Sequence, residues 1–164
     1  MTRAQGVDPS IAGLVHRFRG RDPDAWTRHA WDRIERHGPA GKALEEGRSP
    51  KGRPAWVVCA IGNPDAFLAD VRASGAEVVG STILGDHHPF SARDVERIAR
   101  DAAGADIVLT GKDWAKIGPL VAASRGQASE ASWSVPRASI AFHAGEGLVR
   151  DAVLAAASGI APAG

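Results

Sequence analysis

The sequence has one cysteine (Cys59), one methionine and no tyrosine among its 164 residues. A lone thiol excludes an internal disulfide and a cysteine-based zinc cluster, and it fits a reducing, cytoplasmic setting. No stretch approaches the roughly 18 consecutive apolar residues of a membrane-crossing helix, so no transmembrane segment is expected. The opening MTRAQGVDPS has one arginine and no hydrophobic signal-peptide segment behind it. Charge of one sign is lacking as well: 20 basic side chains face 19 acidic ones, and the net +1 gives no general attraction to nucleic acid. A phosphate-binding loop is also missing. The stretch GPAGKA (38–43) has Arg36 where that pattern needs its first glycine, and Ala43 where it needs a serine or threonine.

What is present suits a soluble globular chain. Apolar residues make up 44% and charged residues 24%, at the length of one ordinary domain with a core of its own. Two regions differ in character. Residues 1–54 read as a basic helical extension and linker. Asp22 is a fitting N-cap, Pro23 suits the first helical position, Trp26, Ala30 and Ile34 recur every four residues, and Gly38 can end the helix. EEGRSPKGRP then reads as a linker.

Residues 55–160 read as an α/β domain with a mostly parallel sheet flanked by helices. Apolar runs at 55–62, 76–84 and 105–110 have the continuous pattern of buried strands, and 135–143 reads as a fourth. Asn63 and Pro64 open one helix. Ser91 and Asp94 have capping-box spacing, and Val95, Ile98, Ala99 and Ala102 form one apolar stripe. Leu148, Val149, Ala152, Val153 and Ala156 make the last helix amphipathic. Strands alternating with helices place three loops at one sheet edge: GNPD (62–65), GDHHPF (85–90) and TGKD (110–113). Open α/β sheets bind ligands at that edge.

The pair His87 and His88 follows Asp86 and precedes Pro89. A residue before proline favours extended backbone, so Asp86 and His88 are expected to point one way and His87 the other. That disfavours one metal ion held by all three and leaves a catalytic pair or a polar structural loop. DHH phosphoesterases share the three letters, but need further aspartate motifs upstream that this sequence does not supply. In TGKD, Lys112 could meet a phosphate, or it could be solvated while Asp113 caps a helix. His16, His29, His37 and His143 show no ligand spacing and are expected at the surface or hydrogen-bonded. Trp26 and Trp31 are expected to pack, and Cys59 to be an inert core thiol.

Taken together, the segments have a familiar order. Ile61, Gly62, Pro64 and Phe67 come first, then Gly75 to Val79. Asp86, His87, His88 and Phe90 follow, and then Thr110, Lys112 and Asp113. This order resembles the C-terminal half of the tetraacyldisaccharide 4'-kinase family, the lipid A kinases, over about residues 55–157. The resemblance implies a P-loop-kinase-like lobe. It implies ATP and Mg²⁺ as cofactors, and transfer of the γ-phosphate to the 4'-hydroxyl of a lipid A disaccharide precursor at the cytoplasmic membrane face. It makes His87 the histidine that pairs with a catalytic aspartate from the N-terminal half, with Asp86 beside it. His88, Lys112, Asp113 and Asn63 would stand near substrate or phosphate, and no metal ligand is assigned.

The family's P-loop, its Asp-Asp-Gly-Phe-Gln segment and its N-terminal membrane anchor do not occur in this sequence, and Gly111 replaces an acidic residue of the family. The chain is therefore expected to be a fragment or split half of a working kinase, with a complementing P-loop-bearing chain as its partner. The location is expected to be cytoplasmic, peripheral at the inner membrane. The alternative is a stand-alone binding module that kept the fold and lost the chemistry.

Overall fold

In the computed structural model, residues 8–44 and 50–158 are described. Five strands form one sheet in the order β1-β5-β4-β2-β3: β1 (Trp26–His37), β2 (Pro54–Cys59), β3 (Glu77–Ile83), β4 (Asp106–Leu109) and β5 (Trp133–Ala144). Strand β2 pairs in parallel with β3 on one side and β4 on the other, and β4 pairs in parallel with β5. The described residues fall into two compact units. One takes the described part of Met1–Ala30 and Ala138–Gly164, the other takes Trp31–Arg137. Residue 54, where the sequence changes character, lies inside the second unit.

The second unit is covered on both faces, which explains its continuous apolar strands. Ala55, Val57, Cys59 and Val108 turn to one face, where Phe67 and Val71 of α2 (Pro64–Ala73) pack. Val58, Ile107 and Leu109 turn to the other. There they meet Val95, Ile98 and Ala99 of α3 (Ala92–Ala102), and Ile117 and Val121 of α4 (Gly111–Ala123). The short helix α5 (Gln127–Glu130) buries Ala128 in the same cluster. The chain runs from β2 out to β3, then back across β2 to β4. Connections therefore leave the ends of β2 and β4 in opposite directions, which opens a crevice position between them.

The helix expected over 22–38 is not formed. Trp26–His37 is strand β1, and the helix of this region is α1 (Pro9–Arg19), capped by Asp8 and closed by Gly20. A four-residue repeat of apolar side chains fits a strand as well as a helix, because four is also a multiple of the strand period. The supposed N-cap, Asp22, pairs with His16 Nδ1 (2.9 Å), and nearby Asp24 pairs with Arg19 (3.2 Å) and Arg21 (3.0 Å). Within the second unit, Arg36 of β1 reaches the buried Asp106 at 3.0 Å, and Ser132 and Ser134 donate to the same carboxylate.

The first unit ends in α6 (Glu146–Ala157). Gly145 enters that helix with a left-handed φ of 79°, and a side chain there would collide with the backbone of Asp24 and Ala25. The expected apolar stripe of α6 is present but open, with Leu148 and Val153 exposed.

Candidate functional site

The three loops leave the C-terminal ends of β2, β3 and β4, which are parallel and adjacent, so they do share one edge. The loop after β4 opens α4. Its N-cap is Thr110, not Asp113: the Thr110 hydroxyl accepts Asp113 N–H (3.2 Å). It also donates to Asp113 Oδ2 (2.7 Å). Asp113 is wholly buried, and its Oδ2 also accepts Ala60 N–H (3.2 Å) at the end of β2. Its side chain thus bridges β2 and α4 across the crevice position. Lys112, next to it, is exposed. Asn63 caps α2 by accepting Ala66 N–H (3.2 Å) and is also exposed.

The loop after β3 is a turn, not an extended run. His88 N–H donates to Gly85 carbonyl (3.1 Å), and His87 sits at φ 60°, in the left-handed region. Pro89 constrains only His88, and the hydrogen bond back to Gly85 sets the two residues before it. Asp86 Oδ1 accepts His87 N–H (3.0 Å), a local bond that helps hold this conformation. The imidazole of His87 is 84% exposed, with Nε2 3.8 Å from Asp86 Oδ2. His88 turns elsewhere. It lies edge-on to Phe90, and its Nε2 is 3.5 Å from Asp94.

Asp94 completes the capping box of α3, accepting from Ser91 N–H (3.1 Å) and the Ser91 hydroxyl (2.6 Å). That hydroxyl, foremost, holds the Asp94 carboxyl below the usual carboxylate range, with His88 and Arg97 adding to it.

Asp86 and His87 thus come together at the loop tip, with Gly62 of the neighbouring loop close by. A Cβ on Gly62 would stand 3.5 Å from Asp86 Oδ2. His88 is engaged with Phe90 and Asp94, Asn63 with the first turn of α2, and Asp113 with Thr110 and Ala60, while Lys112 is exposed. Among the described residues, no group of three or more His, Cys, Asp or Glu side chains is arranged to hold a metal ion. The region 38–43 has only the short helical turn Pro39–Gly41 between β1 and β2, with none of the strand-to-helix geometry of a phosphate loop.

Arg137 at the same edge was not legible from spacing. Its guanidinium donates to Glu35 (2.6 Å), and Nη1 would lie 3.9 Å from a Cβ on Gly111. The Glu35 carboxylate pushes the Arg137 guanidinium up, and Arg137 holds Glu35 down. The only sequence sign was an arginine inside an apolar strand. His37 departs from expectation too: its ring stacks on Trp114 at 4.2 Å, and both ring nitrogens are buried without a hydrogen-bond partner. Trp31 packs on Phe67, as expected. Cys59 is buried, and burial pushes its thiol up to about 11.

No solved structure matches the chain. Curated relatives do. A tetraacyldisaccharide 4'-kinase of Geobacter metallireducens is 40% identical over 73 residues, which is 43% of this chain and 22% of that protein. One of Rhodopseudomonas palustris is 42% identical over 71 residues, 42% of this chain and 21% of the relative. One of Methylobacterium radiotolerans is 33% identical over 108 residues, 64% of this chain and 32% of the relative. The chain thus spans between a fifth and a third of the length of these relatives. The family model described as tetraacyldisaccharide-1-P 4'-kinase matches residues 14–156, most of the chain, and the chain belongs to that family.

Proposed function

We propose that this chain supplies the acceptor side of a phosphoryl-transfer site, at which the γ-phosphate of ATP passes to the 4'-hydroxyl of a lipid A disaccharide precursor. The observation that carries the reading is the turn at His87. An exposed imidazole sits on left-handed backbone, beside Asp86, at the ligand-binding edge of a parallel sheet. Left-handed backbone costs a non-glycine residue about 1–2 kcal/mol, and such strain gathers at functional sites.

In this reading the His87 imidazole, with a carboxylate from polypeptide outside these 164 residues, takes the proton of the 4'-hydroxyl as its oxygen bonds to the γ-phosphorus. The bond to the β-phosphate oxygen then breaks and ADP leaves. Asp86 orients the imidazole. Lys112 and Arg137 stand at the same edge as cations for phosphate oxygens.

Among the described residues, no three or more His, Cys, Asp or Glu side chains are arranged to hold Mg²⁺, and the sequence has no glycine-rich P-loop pattern. ATP and Mg²⁺ would therefore be held by P-loop-bearing polypeptide elsewhere, in the same chain or in a complementing one. No described helix is long and apolar enough to cross a membrane. Work on a lipid precursor then implies peripheral contact with the cytoplasmic face of the inner membrane.

The test is a chimera in which residues 55–157 replace the matching segment of the M. radiotolerans relative. Transfer of ³²P from γ-labelled ATP to tetraacyldisaccharide 1-phosphate is the expected result. A folded chimera that binds ATP but transfers nothing would contradict the reading and favour a non-catalytic binding module.

A further inference from the structure

One peptide plane links the candidate turn to the opposite side of the crevice position. The Cys59–Ala60 peptide accepts Leu84 N–H at its carbonyl (3.0 Å) and donates its own N–H to Asp113 Oδ2 (3.2 Å). Leu84 directly precedes the Gly85–His88 turn, and Asp113 stands in the first turn of α4. The peptide unit is planar, so fixing its N–H also fixes the direction of its carbonyl. Hydrogen bonds in series through one amide polarise each other, so each end of this chain strengthens the other.

Asp113 is costly in its place. It is 0% exposed, and its Oδ1 has no hydrogen-bond partner. Capping does not demand it, because the Thr110 hydroxyl already receives the helix N–H. A carboxylate buried with one oxygen unpaired carries a desolvation penalty that a cap alone does not require. What the carboxylate adds is its reach to Ala60, 53 residues away in sequence. Two residues past Ala60, Gly62 lies near enough to Asp86 that a Cβ built on it would stand 3.5 Å from Oδ2, so a displaced Cys59–Ala60 peptide would disturb the turn from two directions.

We propose that Asp113 is a positioning residue for the Asp86–His87 turn, acting through the Cys59–Ala60 peptide and touching neither substrate nor phosphate. Its bearing on catalysis rests on the reading of His87 given above. Lys112 and Asp113, adjacent in sequence, then have separate duties: the exposed lysine faces outward while the aspartate ties β2 to α4.

Nuclear magnetic resonance on the isotopically labelled chain tests this without any activity. In Asp113→Asn, amide exchange at Ala60 and Leu84 should rise roughly tenfold, as expected for loss of a buried hydrogen bond. The Asp86 amide and His87 imidazole resonances should shift, while those of Asp106, at the start of β4, should stay. Asp113→Glu keeps the charge but moves the carboxylate by one methylene. It should give the same signature, and it serves if the asparagine variant fails to unfold cooperatively. Faster exchange at Ala60 with unchanged Leu84, Asp86 and His87 would overturn the proposal and leave Asp113 a local brace of α4. A chimera that transfers no phosphate would remove the catalytic reading and leave this coupling standing. Unmoved Leu84 and His87 signals would do the reverse.

Discussion

The indole of Trp56 on β2 sits against Gly80 on the neighbouring strand β3, so close that a methyl group at Gly80 would overlap the ring. Trp56 cannot swing away freely, because its Nε1–H donates to Thr82 Oγ1 (3.0 Å). Gly80→Ala should therefore destabilise the fold by about 1–3 kcal/mol, the usual cost of overpacking. Chemical denaturation checks this. A variant as stable as the parent would mean the indole has room to move.

The pair Arg36–Asp106 ties β1 to the start of β4. The carboxylate is almost wholly buried and also accepts two serine hydroxyls. Arg36→Ala leaves that charge without its cation, and removing one partner of a buried pair costs about 3–5 kcal/mol. Part of the arginine is open to solvent, so a loss near 3 kcal/mol in urea unfolding is expected. Ser132→Ala, which leaves the ion pair in place, should cost about 1 kcal/mol.

Asp94 gives a pH signature. Its folded-state carboxyl lies below the usual 3.8, so the ionised form is the one that stabilises. That stability is full above the unfolded value and is lost as pH falls through the lower folded value. Asp94→Asn should be less stable than the parent by about 1 kcal/mol at neutral pH, the scale of a lost cap. The gap in thermal midpoint should close below about pH 4. A gap that stays constant with pH would mean that the charge contributes nothing.

Cys59 is buried with its thiol pushed up to about 11, chiefly by burial. Alkylation requires the thiolate. Iodoacetamide at pH 8 should thus label the folded chain at least about a hundredfold more slowly than the urea-unfolded chain, given both the ionised fraction and the lack of access. Equal rates would show that the end of β2 opens readily.

The elements legible in the sequence were those whose signals are local. Strands β2 and β4 read correctly because a strand covered on both faces is apolar without interruption. The capping box of Ser91 and Asp94 named the start of α3. Strand β1 is not legible locally because its apolar spacing fits both periods, and what decides it is a partner strand and a contact from Arg36 to a residue 70 positions away. The tip of the candidate site was visible as Asp86-His87, but the turn depends on His88 N–H reaching Gly85. At Thr110 and Asp113 the spacing repeats that of Ser91 and Asp94, so the cap could have been read. The reach of Asp113 to Ala60 could not, since no local pattern encodes it.

The most direct test of the central claim is the steady-state kinetics of His87→Ala in the chimera, with ATP and tetraacyldisaccharide 1-phosphate as substrates. Loss of a proton-accepting group at the reacting hydroxyl predicts a fall in kcat of about 10²–10⁴-fold, with the KM for ATP unchanged. A kcat equal to that of the unsubstituted chimera would contradict the account and return the Asp86–His87 turn to the status of a polar loop.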